Sequence, residues 1–539
     1  MRRFLSLILT AALIFSLAAC SDRGANKSIS YALDSSPSTL DPQYADEAEA
    51  QIVISNTFEG LVRISAEGQI IPGIAQGWSI SEDGLTYTFN LKPATEWYCP
   101  ISLKSEFGNE FYEKYTSEIV TANDFVFAMR RAINPATGSA FAHRLFVIRN
   151  ATDIYSGALP VEQLGVTAAD DNTLIIELAE PCADFLERLT EGVFMPCNEE
   201  FFNSMNGRYG LTQRHILCNG PFYVSSWDSE SALTIRRNNY YAGKQQVIPS
   251  LVNFTFDPDE NSVAKKISNG TVSAALLPPD CPAPENSVTV KETANSVFGF
   301  VFNCADSSLS NTNLRLALCS SIDRTLFTEN DNAVPQNGFV PPSCVTGSLY
   351  YRNAVGEQTP FVPFDTAKAA DHWKKALSEL GVQKISLTVL CPEWLDNSVR
   401  RQLQIWQKTL GIGLGITIEN KTSEEIEKAV SSGNYQIALT GITTPYESAS
   451  DFLASLKDSN PFRHKSEEYN AIVARILEID GEQELLGGCF TAENYILQQG
   501  LCYPLYSRSS RFVCAEDVDG IVIFHSENNV SFIGARRYD

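Results

Sequence analysis

The sequence predicts an α/β protein with parallel sheets, divided into two or three domains. Between Ile385 and Thr440, three apolar strand segments alternate with two amphipathic helical segments, which is the pattern of a parallel βαβαβ unit. The chain has 539 residues, more than a single hydrophobic core usually serves. Its composition, 44% hydrophobic and 19% charged, indicates a folded body and not a disordered chain.

The chain opens with an export signal. Arginines precede an apolar run from Phe4 to Ala19, which is shorter than the roughly 20 residues of a membrane-spanning helix. The tetrapeptide Leu-Ala-Ala-Cys that ends at Cys20 resembles the lipobox of bacterial lipoproteins, which implies that residues 1–19 are removed and that the thiol of Cys20 carries the lipid. We therefore expect a lipid-anchored protein on the outer face of the cell membrane, with residues 20–28 as a polar leash. The alternative is an ordinary secreted protein with a chance cysteine.

The charge of the chain excludes one class of partner. Lysine and arginine number 41 against 64 aspartates and glutamates, which gives a formal net charge of −23. Such a chain repels nucleic acid and anionic lipid. We expect no nucleic-acid partner, and membrane contact only through the lipid anchor.

Two elements are predicted in the first third of the chain. Leu85 to Leu91 alternates apolar with polar residues, as a half-buried strand does. Thr121 and Asp124 have the spacing of a capping box, and they precede a helix that runs to Ile133 and stops before Pro135.

The βαβαβ unit points to a binding loop. Its predicted elements are a strand from Ile385 to Cys391, a helix from Ser398 to Leu410, a strand from Leu414 to Glu419, a helix capped by Ser423, and a strand from Tyr435 to Thr440. Ligands of open parallel sheets bind at the carboxyl ends of the strands, where Gly441 to Glu447 follows the third strand. Gly441 permits close approach of a ligand, and the threonines offer hydrogen-bonding groups. The alternative is a plain surface turn.

The cysteines allow two interpretations. The chain has 13, an even number if Cys20 is set aside, and an exported protein can form disulfides. The pairs close in sequence are Cys182 with Cys197, Cys304 with Cys319, and Cys489 with Cys502 or Cys514. Buried free cysteine also serves as a small hydrophobic residue, and the sequence leaves both interpretations open.

No catalytic or nucleotide-binding motif is present in the sequence. It contains no HExxH, GxSxG or GxxxxGK[ST], and its five histidines have neither triad nor metal-ligand spacing. We expect no enzyme activity, no cofactor and no metal. An exported hydrolase is the alternative from another class.

Short motifs along residues 29–535 resemble a known family. They include Leu40-Asp41-Pro42, Phe58-Glu59-Gly60-Leu61-Val62, Gly73-Ile74-Ala75-Gln76-Gly77-Trp78, Asn219-Gly220-Pro221-Phe222-Tyr223, Arg315-Leu316-Ala317-Leu318 and Phe364-Asp365-Thr366-Ala367-Lys368-Ala369. Together and in this order they resemble the family 5 extracellular solute-binding proteins, the oligopeptide- and dipeptide-binding lipoproteins of ABC importers.

The resemblance implies a two-lobed clamp of the periplasmic-binding-protein type (type II, cluster C) with an extra accessory domain. The implied boundaries are 29–64, 197–302 and 503–539 for the first lobe, 65–196 for the accessory domain and 303–502 for the second lobe. The hinge would lie near 302 and 503. A peptide would close the clamp, the importer's permease would read that closure, and the protein would act as a monomer.

The resemblance also implies the ligand-binding residues. They are Asp46, Glu47 and Ala48 in the first lobe, Gly441, Ile442, Thr443, Thr444 and Pro445 in the second, and the aromatic residues Phe127 and Tyr506. The ligand backbone would be held much as an added β-strand is. Core packing is the alternative role for Phe127 and Tyr506.

The sequence departs from the family pattern at the ligand's amine. Many peptide-binding members have an aromatic residue followed three positions later by an aspartate that pairs with the amine, but this chain has Ile442 and Pro445. Loss of one partner of a buried ion pair costs about 3–5 kcal/mol. Glu447 or Asp451 could substitute, the amine could stay in water, or the ligand could lack an amine.

Two alternatives follow within the same fold. One is a non-peptide ligand such as a glycoside, a metal chelate or a modified amino acid. The other is a sensor lipoprotein without a transporter. A longer stretch at residues 98–120 is a further departure, and the sequence assigns it no role.

Overall fold

A computed structural model describes residues 28–538 apart from short gaps. The gaps are 67, 94, 183–184, 244–245, 279–280, 329–332, 348, 357–361, 412, 445–447, 458–459, 478, 480, 508 and 525–529. The signal segment, Cys20, Pro445 and Glu447 therefore lie outside the described residues. The chain divides into a first unit of Met1–Leu277, Cys281–Lys291 and Phe512–Asp539, and a second unit of Pro278–Asp280 and Glu292–Arg511.

A seven-stranded mixed sheet organises the first unit. Its strands are, in spatial order, Ser287–Thr293, Ser510–Ala515, Ala274–Leu277, Ser28–Leu33, Leu251–Phe256, Ala232–Arg237 and Phe222–Asp228. Ser28–Leu33 is parallel to both of its neighbours, whereas the last three strands are antiparallel to one another. The central strand is buried along its second half, as expected for a parallel strand covered on both faces.

A four-stranded antiparallel sheet lies within the stretch expected to form the accessory domain. Its spatial order is Ala75–Ile80, Thr86–Leu91, Thr173–Glu177 and Val166–Asp170. Thr86–Leu91 confirms the predicted strand, with Tyr87 and Phe89 buried. Helix Ala122–Ile133 confirms the predicted helix, because Thr121 and Asp124 form the capping box at its start.

A six-stranded mixed sheet organises the second unit. Its spatial order is Val334–Pro335, Cys502–Ser507, Ser296–Phe302, Ile437–Thr443, Ile385–Pro392 and Leu414–Lys421. Ile385–Pro392 is parallel to both of its neighbours, which confirms the predicted parallel unit. Ser296–Phe302 is antiparallel to both of its own neighbours, so the sheet is parallel on one side only.

Two details of the parallel unit differ from the prediction. The side chain of Thr422, and not that of Ser423, caps helix Ser423–Ser432 and forms a capping box with Glu425. The third strand extends through Thr443, so Gly441 to Thr443 are strand residues and not loop residues. Pairing with Ser296–Phe302 along its whole length explains this extension.

The crossings between the units also differ from the expected positions. The chain passes between the units within 278–292 and at 511–512, and not near 302 and 503. Ser296–Phe302 and Cys502–Ser507 pair with each other inside the second unit's sheet, which holds the residues expected at the hinge. Phe302, at one of the expected positions, is fully buried there.

Helices and short strand pairs complete both units. The α-helices are Ala48–Thr57, Leu103–Phe107, Asn109–Tyr115, Ala122–Ile133, Ala151–Tyr155, Phe185–Arg188, Glu199–Ser204, Glu260–Ser268, Thr312–Cys319, Tyr351–Val355, Thr366–Leu380, Asp396–Leu410, Ser423–Ser432, Ala449–Ser455, Glu467–Leu477 and Glu482–Gln498. The strand pairs are Val62–Ile64 with Ile70–Pro72, Val345–Thr346 with Leu349–Tyr350, Val518–Asp519 with Arg536–Arg537, and Val522–Ile523 with Val530–Ser531. Within the described residues, no helix is long and apolar enough to cross a membrane.

Two hydrophobic cores cover opposite faces of the second unit's sheet. Phe300 and Leu439 belong to one core, whereas Val301, Ala438 and Ile442 belong to the other. Successive strand residues point to opposite faces, so neighbours in sequence enter different cores. This alternation determines which side chains between Gly441 and Thr444 are accessible.

None of the twelve cysteines that the structure describes forms a disulfide. Ten are buried, and Cys182 and Cys304 are half-buried. Burial raises the pKa of the Cys197 thiol to about 12, which keeps it protonated and unreactive. These cysteines therefore act as small hydrophobic residues, the second of the two interpretations.

Candidate functional site

The carboxyl ends of the parallel strands lie together at one end of the second unit's sheet. Ile385–Pro392 and Ile437–Thr443 run in the same direction, so both strands end there. Ser296–Phe302 runs in the opposite direction, and its first residue pairs with Thr443. We call this region the strand-end site. Its residues are Ser296, Phe298, Trp394, Gly441, Thr443, Thr444 and Tyr506.

Three aromatic rings adjoin at the strand-end site. Phe298 stacks on Tyr506, with 5.5 Å between ring centroids and 17° between planes. The ring of Trp394 also contacts Phe298, with 5.7 Å between ring centroids and 42° between planes. Trp394 is 52% exposed, and it lies two residues after the end of strand Ile385–Pro392. An exposed tryptophan on a supporting ring offers a large apolar contact surface to a ligand.

Alternation along the third strand separates the predicted binding residues. Gly441 pairs with Phe298, and Thr443 donates a hydrogen bond from Oγ1 to Ser296 Oγ at 3.1 Å. These residues share the face that carries the rings. Ile442 points to the opposite face, where it is 7% exposed in the core.

Thr444 follows at the end of this strand. Its amide donates to the carbonyl oxygen of Asn295 at 3.0 Å, and its side chain is buried. Of the predicted run from Gly441 to Thr444, the structure therefore places Gly441 and Thr443 on an accessible face. Pro445 and Glu447 lie outside the described residues.

Tyr506 is 1% exposed and belongs to the hydrophobic core of the second unit. Core packing, the alternative that the sequence left open, describes its side chain. It contributes to the strand-end site by supporting the ring of Phe298.

Asp451, one of the possible amine partners, lies in helix Ala449–Ser455. Its negative charge contributes to raising the pKa of the Cys489 thiol, after the larger effect of burial. The carboxylate therefore lies near a buried thiol of helix Glu482–Gln498. Asp451 itself is half-buried.

In the first unit, the predicted residues form the entry to a helix and not a strand. The amide of Ala45 donates to the carbonyl oxygen of Asp41 at 2.8 Å, and its own carbonyl accepts from Gln51 Nε2 at 2.7 Å. Ala48 begins helix Ala48–Thr57. This turn fixes the backbone that leads into the helix.

The side chains of this helix entry are mostly accessible. Asp46 and Ala48 are exposed, and Glu47 is half-buried. The Glu47 carboxylate accepts the amide of Ser38 at 2.7 Å. The exposed residues leave this stretch open to a ligand.

Phe127 projects from helix Ala122–Ile133 into a cavity of about 770 Å³ within the first unit. We call it the aromatic cavity, because four rings line it: Tyr44, Phe127, Phe202 and Tyr209. The rings of Phe127 and Phe202 are 5.6 Å apart and inclined at 59°, and those of Phe202 and Tyr209 are 5.3 Å apart and inclined at 63°. Tyr44 connects the cavity to the Ala45–Ala48 stretch, which it directly precedes.

A buried ion pair supports the aromatic cavity. Arg131 Nη1 donates to Asp41 Oδ2 at 2.7 Å, and Nη2 donates to Asp41 Oδ1 and to Gln43 Oε1. The guanidinium group also lies 4.3 Å from the ring centroid of Phe202 and 5.5 Å from that of Tyr209. The Asp41 carboxylate and the two rings together hold the Arg131 guanidinium in place, and they thereby stabilise this part of the cavity wall.

The insertion at 98–120 packs on the first unit. The Tyr98 amide donates to the Cys218 carbonyl at 2.6 Å, and its ring stacks on Tyr223 with centroids 3.7 Å apart. Glu106 accepts from Arg208 Nη1 at 2.9 Å and lies 3.1 Å from His215 Nε2. These hydrogen bonds, that with His215 above all, lower the pKa of the Glu106 carboxyl. The structure gives the insertion a packing role.

Sequence reasoning missed Phe298 and Trp394. Trp394 had a signal, because it follows the carboxyl end of a predicted strand, where the rule that selected Gly441 also applies. Phe298 had none, because its place beside Gly441 depends on pairing between distant segments.

The groups of both regions suit binding of a solute. They are rings, hydroxyls and exposed backbone, which hold a ligand by apolar contact and hydrogen bonds. Across the described ranges, no group of three or more His, Cys, Asp or Glu side chains is arranged to hold a metal ion.

Comparison with known families and proteins extends this description. The profile of the family described as Bacterial extracellular solute-binding proteins, family 5 Middle, matches residues 69–463. Oligopeptide-binding protein OppA of Bacillus subtilis (strain 168) is 26% identical over 510 residues, which cover 90% of this chain and 88% of that protein. The probable deoxycholate-binding periplasmic protein YgiS of Escherichia coli (strain K12) is 25% identical over 501 residues, covering 88% and 86%.

A solved structure shows the fold. The substrate-binding domain of an oligopeptide ABC transporter from Bacillus anthracis str. Ames superposes with a TM-score of 0.78 at 24% identity, covering 96% of this chain and 100% of that chain. The expected two-lobed periplasmic-binding-protein fold is confirmed.

Proposed function

Because the chain belongs to the bacterial extracellular solute-binding proteins of family 5, we propose that it captures peptides outside the membrane and delivers them to an ABC importer. The peptide would contact the strand-end site in the second unit and the Ala45–Ala48 stretch in the first. A ligand that engages both units binds their closed arrangement more tightly, so it shifts the population toward closure. The permease would recognise that arrangement.

The observation that carries this proposal is the pairing of Gly441 with Phe298 at the end of a parallel strand. A glycine beside a ring lets a ligand backbone approach the sheet while a ligand side chain contacts the ring. The exposed hydroxyl pair of Thr443 and Ser296 supplies polar groups at the same edge. This combination suits a ligand with a regular backbone and varied side chains.

Position outside the cell is part of the same proposal. The apolar leader and the lipobox ending at Cys20 support a lipid anchor on the outer face of the membrane. A tether of this kind raises the concentration of the protein near its permease. We propose a monomer that needs neither cofactor nor metal.

A non-peptide ligand is the second candidate. The family's aromatic position is occupied by Ile442, whose side chain is in the core, and Asp451 lies near Cys489. Neither Ile442 nor Asp451 is therefore placed as an evident partner for a peptide amine. A family relative carries the description deoxycholate-binding, which is consistent with ligands other than peptides in this fold.

Mass spectrometry of the purified protein distinguishes these candidates. Native spectra would be compared with the small molecules released on denaturation. A ladder of short peptides supports peptide capture, whereas a single non-peptide mass contradicts it and supports the second candidate.

A variant pair tests the strand-end site. Gly441→Val adds a side chain at the hydroxyls of Ser296 and Thr443, and Gly415→Val adds the same side chain to the outer strand of the same sheet. We expect Gly441→Val to weaken peptide binding at least tenfold in calorimetry and Gly415→Val to leave it unchanged. Equal affinities for both variants would refute the site.

A further inference from the structure

We propose that the aromatic cavity receives one large uncharged side chain, aromatic or long aliphatic, of the bound peptide and thereby sets the preference among peptides. This inference rests on the proposed function, and it names the chemistry of one subsite. The volume of the aromatic cavity is the first observation that supports this proposal. At about 770 Å³ the cavity lies in the range of small-molecule sites, roughly 300–1,000 Å³, and exceeds what a methyl group needs.

The location of the cavity supports the proposal next. Tyr44 lines the cavity and is joined directly to Ala45, where the ligand-binding stretch begins. Consecutive Cα atoms are about 3.8 Å apart, so a peptide lying on Ala45–Ala48 has the cavity within reach of one of its side chains. Phe127, assigned to ligand contact by family resemblance, lines the same cavity.

The walls favour an aromatic or aliphatic group. The ring of Phe202 is inclined by about 60° to those of Phe127 and Tyr209, at centroid distances below 6 Å, as is common in aromatic clusters. A further ring or a branched chain can join such a cluster with favourable contacts. Tyr44, 52% exposed, extends the apolar surface outward.

The charges disfavour an ionised side chain. Asp41 and Arg131 neutralise each other with side chains that are 10% and 9% exposed. Of the remaining charged lining residues, Arg130 is half-buried and bonded to the Glu162 carbonyl at 3.1 Å, whereas the Glu162 and Glu199 side chains are exposed. Because charges of both signs line the cavity, neither a cationic nor an anionic side chain finds a surface of uniformly opposite charge there.

A matched pair of variants tests the proposal. Ala136 is exposed and lines the cavity, and Ala140 is exposed and does not. Ala136→Trp fills the cavity, and Ala140→Trp places the same side chain elsewhere on the same segment. The probes are alanine peptides that carry tryptophan, leucine, lysine, glutamate or glycine at each position in turn, with affinities measured by calorimetry.

We expect tryptophan or leucine at one position to improve the affinity of the wild-type protein at least tenfold over alanine, and lysine and glutamate to give no gain. Ala136→Trp should reduce that preference to less than threefold. Ala140→Trp should keep the preference. Asn203→Trp, on another exposed position of the lining, repeats the test if Ala136→Trp does not fold.

The failures of the two proposals are distinguishable. Peptides that bind with no position-specific preference, or a preference that survives both filling variants, overturn the cavity assignment and leave peptide capture intact. A wild-type protein that binds none of the peptides overturns both proposals.

Discussion

The ring of Phe298 lies stacked on the ring of Tyr506, with 5.5 Å between their centroids. Tyr506 is fully buried, Phe298 is half-buried, and Trp394 beyond them is exposed. The buried ring of Tyr506 therefore supports the exposed ring of Trp394 through the ring of Phe298. Such support preorganises an exposed aromatic surface for binding, because the rings lose little freedom when a ligand arrives.

Replacement of Trp394 by alanine should weaken ligand binding and spare the fold. Loss of an aromatic contact of this kind costs at least about 1 kcal/mol, or about fivefold in affinity. Surface substitutions change stability by less than about 0.5 kcal/mol. Tyr350→Ala, at another exposed ring of the second unit, is the control that should change neither quantity. Unchanged affinity in Trp394→Ala would exclude this ring from the site.

Replacement of Glu493 by glutamine should strongly destabilise the second unit. Glu493 is fully buried, forms an ion pair with Arg352, and accepts from Tyr351 Oη and the Val340 amide at 2.9 Å each. The variant removes the carboxylate charge that neutralises Arg352, and breaking a buried ion pair costs about 3–5 kcal/mol. Urea denaturation measures the loss.

Arg400→Gln is the control for this loss, because it breaks the exposed ion pair with Asp396. Exposed pairs contribute at most about 1 kcal/mol. If the two variants unfold at the same urea concentration, the buried pair does not stabilise the second unit.

Stability should depend on the ionisation of Asp124. Burial raises the pKa of this carboxyl to about 7 from 3.8, against the lowering effect of hydrogen bonds from Thr121. The folded state therefore binds a proton that the unfolded chain releases, and stability falls as pH rises through this interval. The contribution is complete below about pH 4 and is lost above about pH 7.

Asp124→Asn cannot ionise and should remove this contribution. The melting temperature of the variant should therefore rise relative to that of the wild type between pH 5 and pH 8. Asp153→Asn, at an exposed position, should keep a constant offset over the same range. A constant offset for Asp124→Asn as well would show that Asp124 keeps an ordinary pKa.

The absence of disulfides among the described cysteines predicts that the protein is insensitive to reducing agent. Because the described cysteines form no disulfides, dithiothreitol should leave the melting temperature unchanged. A thiol reagent should label Cys182 and Cys304 slowly in the native protein and all twelve cysteines after denaturation. A lower melting temperature in reducing agent would reveal a disulfide.

Local features of the fold were predictable from the sequence. The capping box at Thr121 and Asp124 and the strand at Thr86–Leu91 depend on residues within a few positions of one another, and both predictions are confirmed. The parallel unit was predictable because hydrophobic residues recur with a period of two in its strands and 3.6 in its helices, all within one continuous segment. Its third strand was predicted too short because the partner Ser296–Phe302 is distant in sequence.

The candidate site was predictable only where one segment carries it. Gly441 and Thr443 were found from strand ends and family resemblance, but the burial of Ile442 follows from pairing with a distant strand. The aromatic cavity was not predicted at all. Its rings come from segments around residues 44, 127, 202 and 209, and only the fold brings them together.

The order of the strands has a consequence for biosynthesis. Cys502–Ser507 lies inside one large sheet and Ser510–Ala515 inside the other, so each sheet needs an internal strand that follows all of its other strands in sequence. A nascent chain on the ribosome cannot complete either sheet, because the missing strand leaves its neighbours unpaired. Both large sheets can therefore close only after residues 502–515 have been synthesised. Until then Val334–Pro335 and Ser296–Phe302 in one sheet, and Ser287–Thr293 and Ala274–Leu277 in the other, lack the strand that joins them.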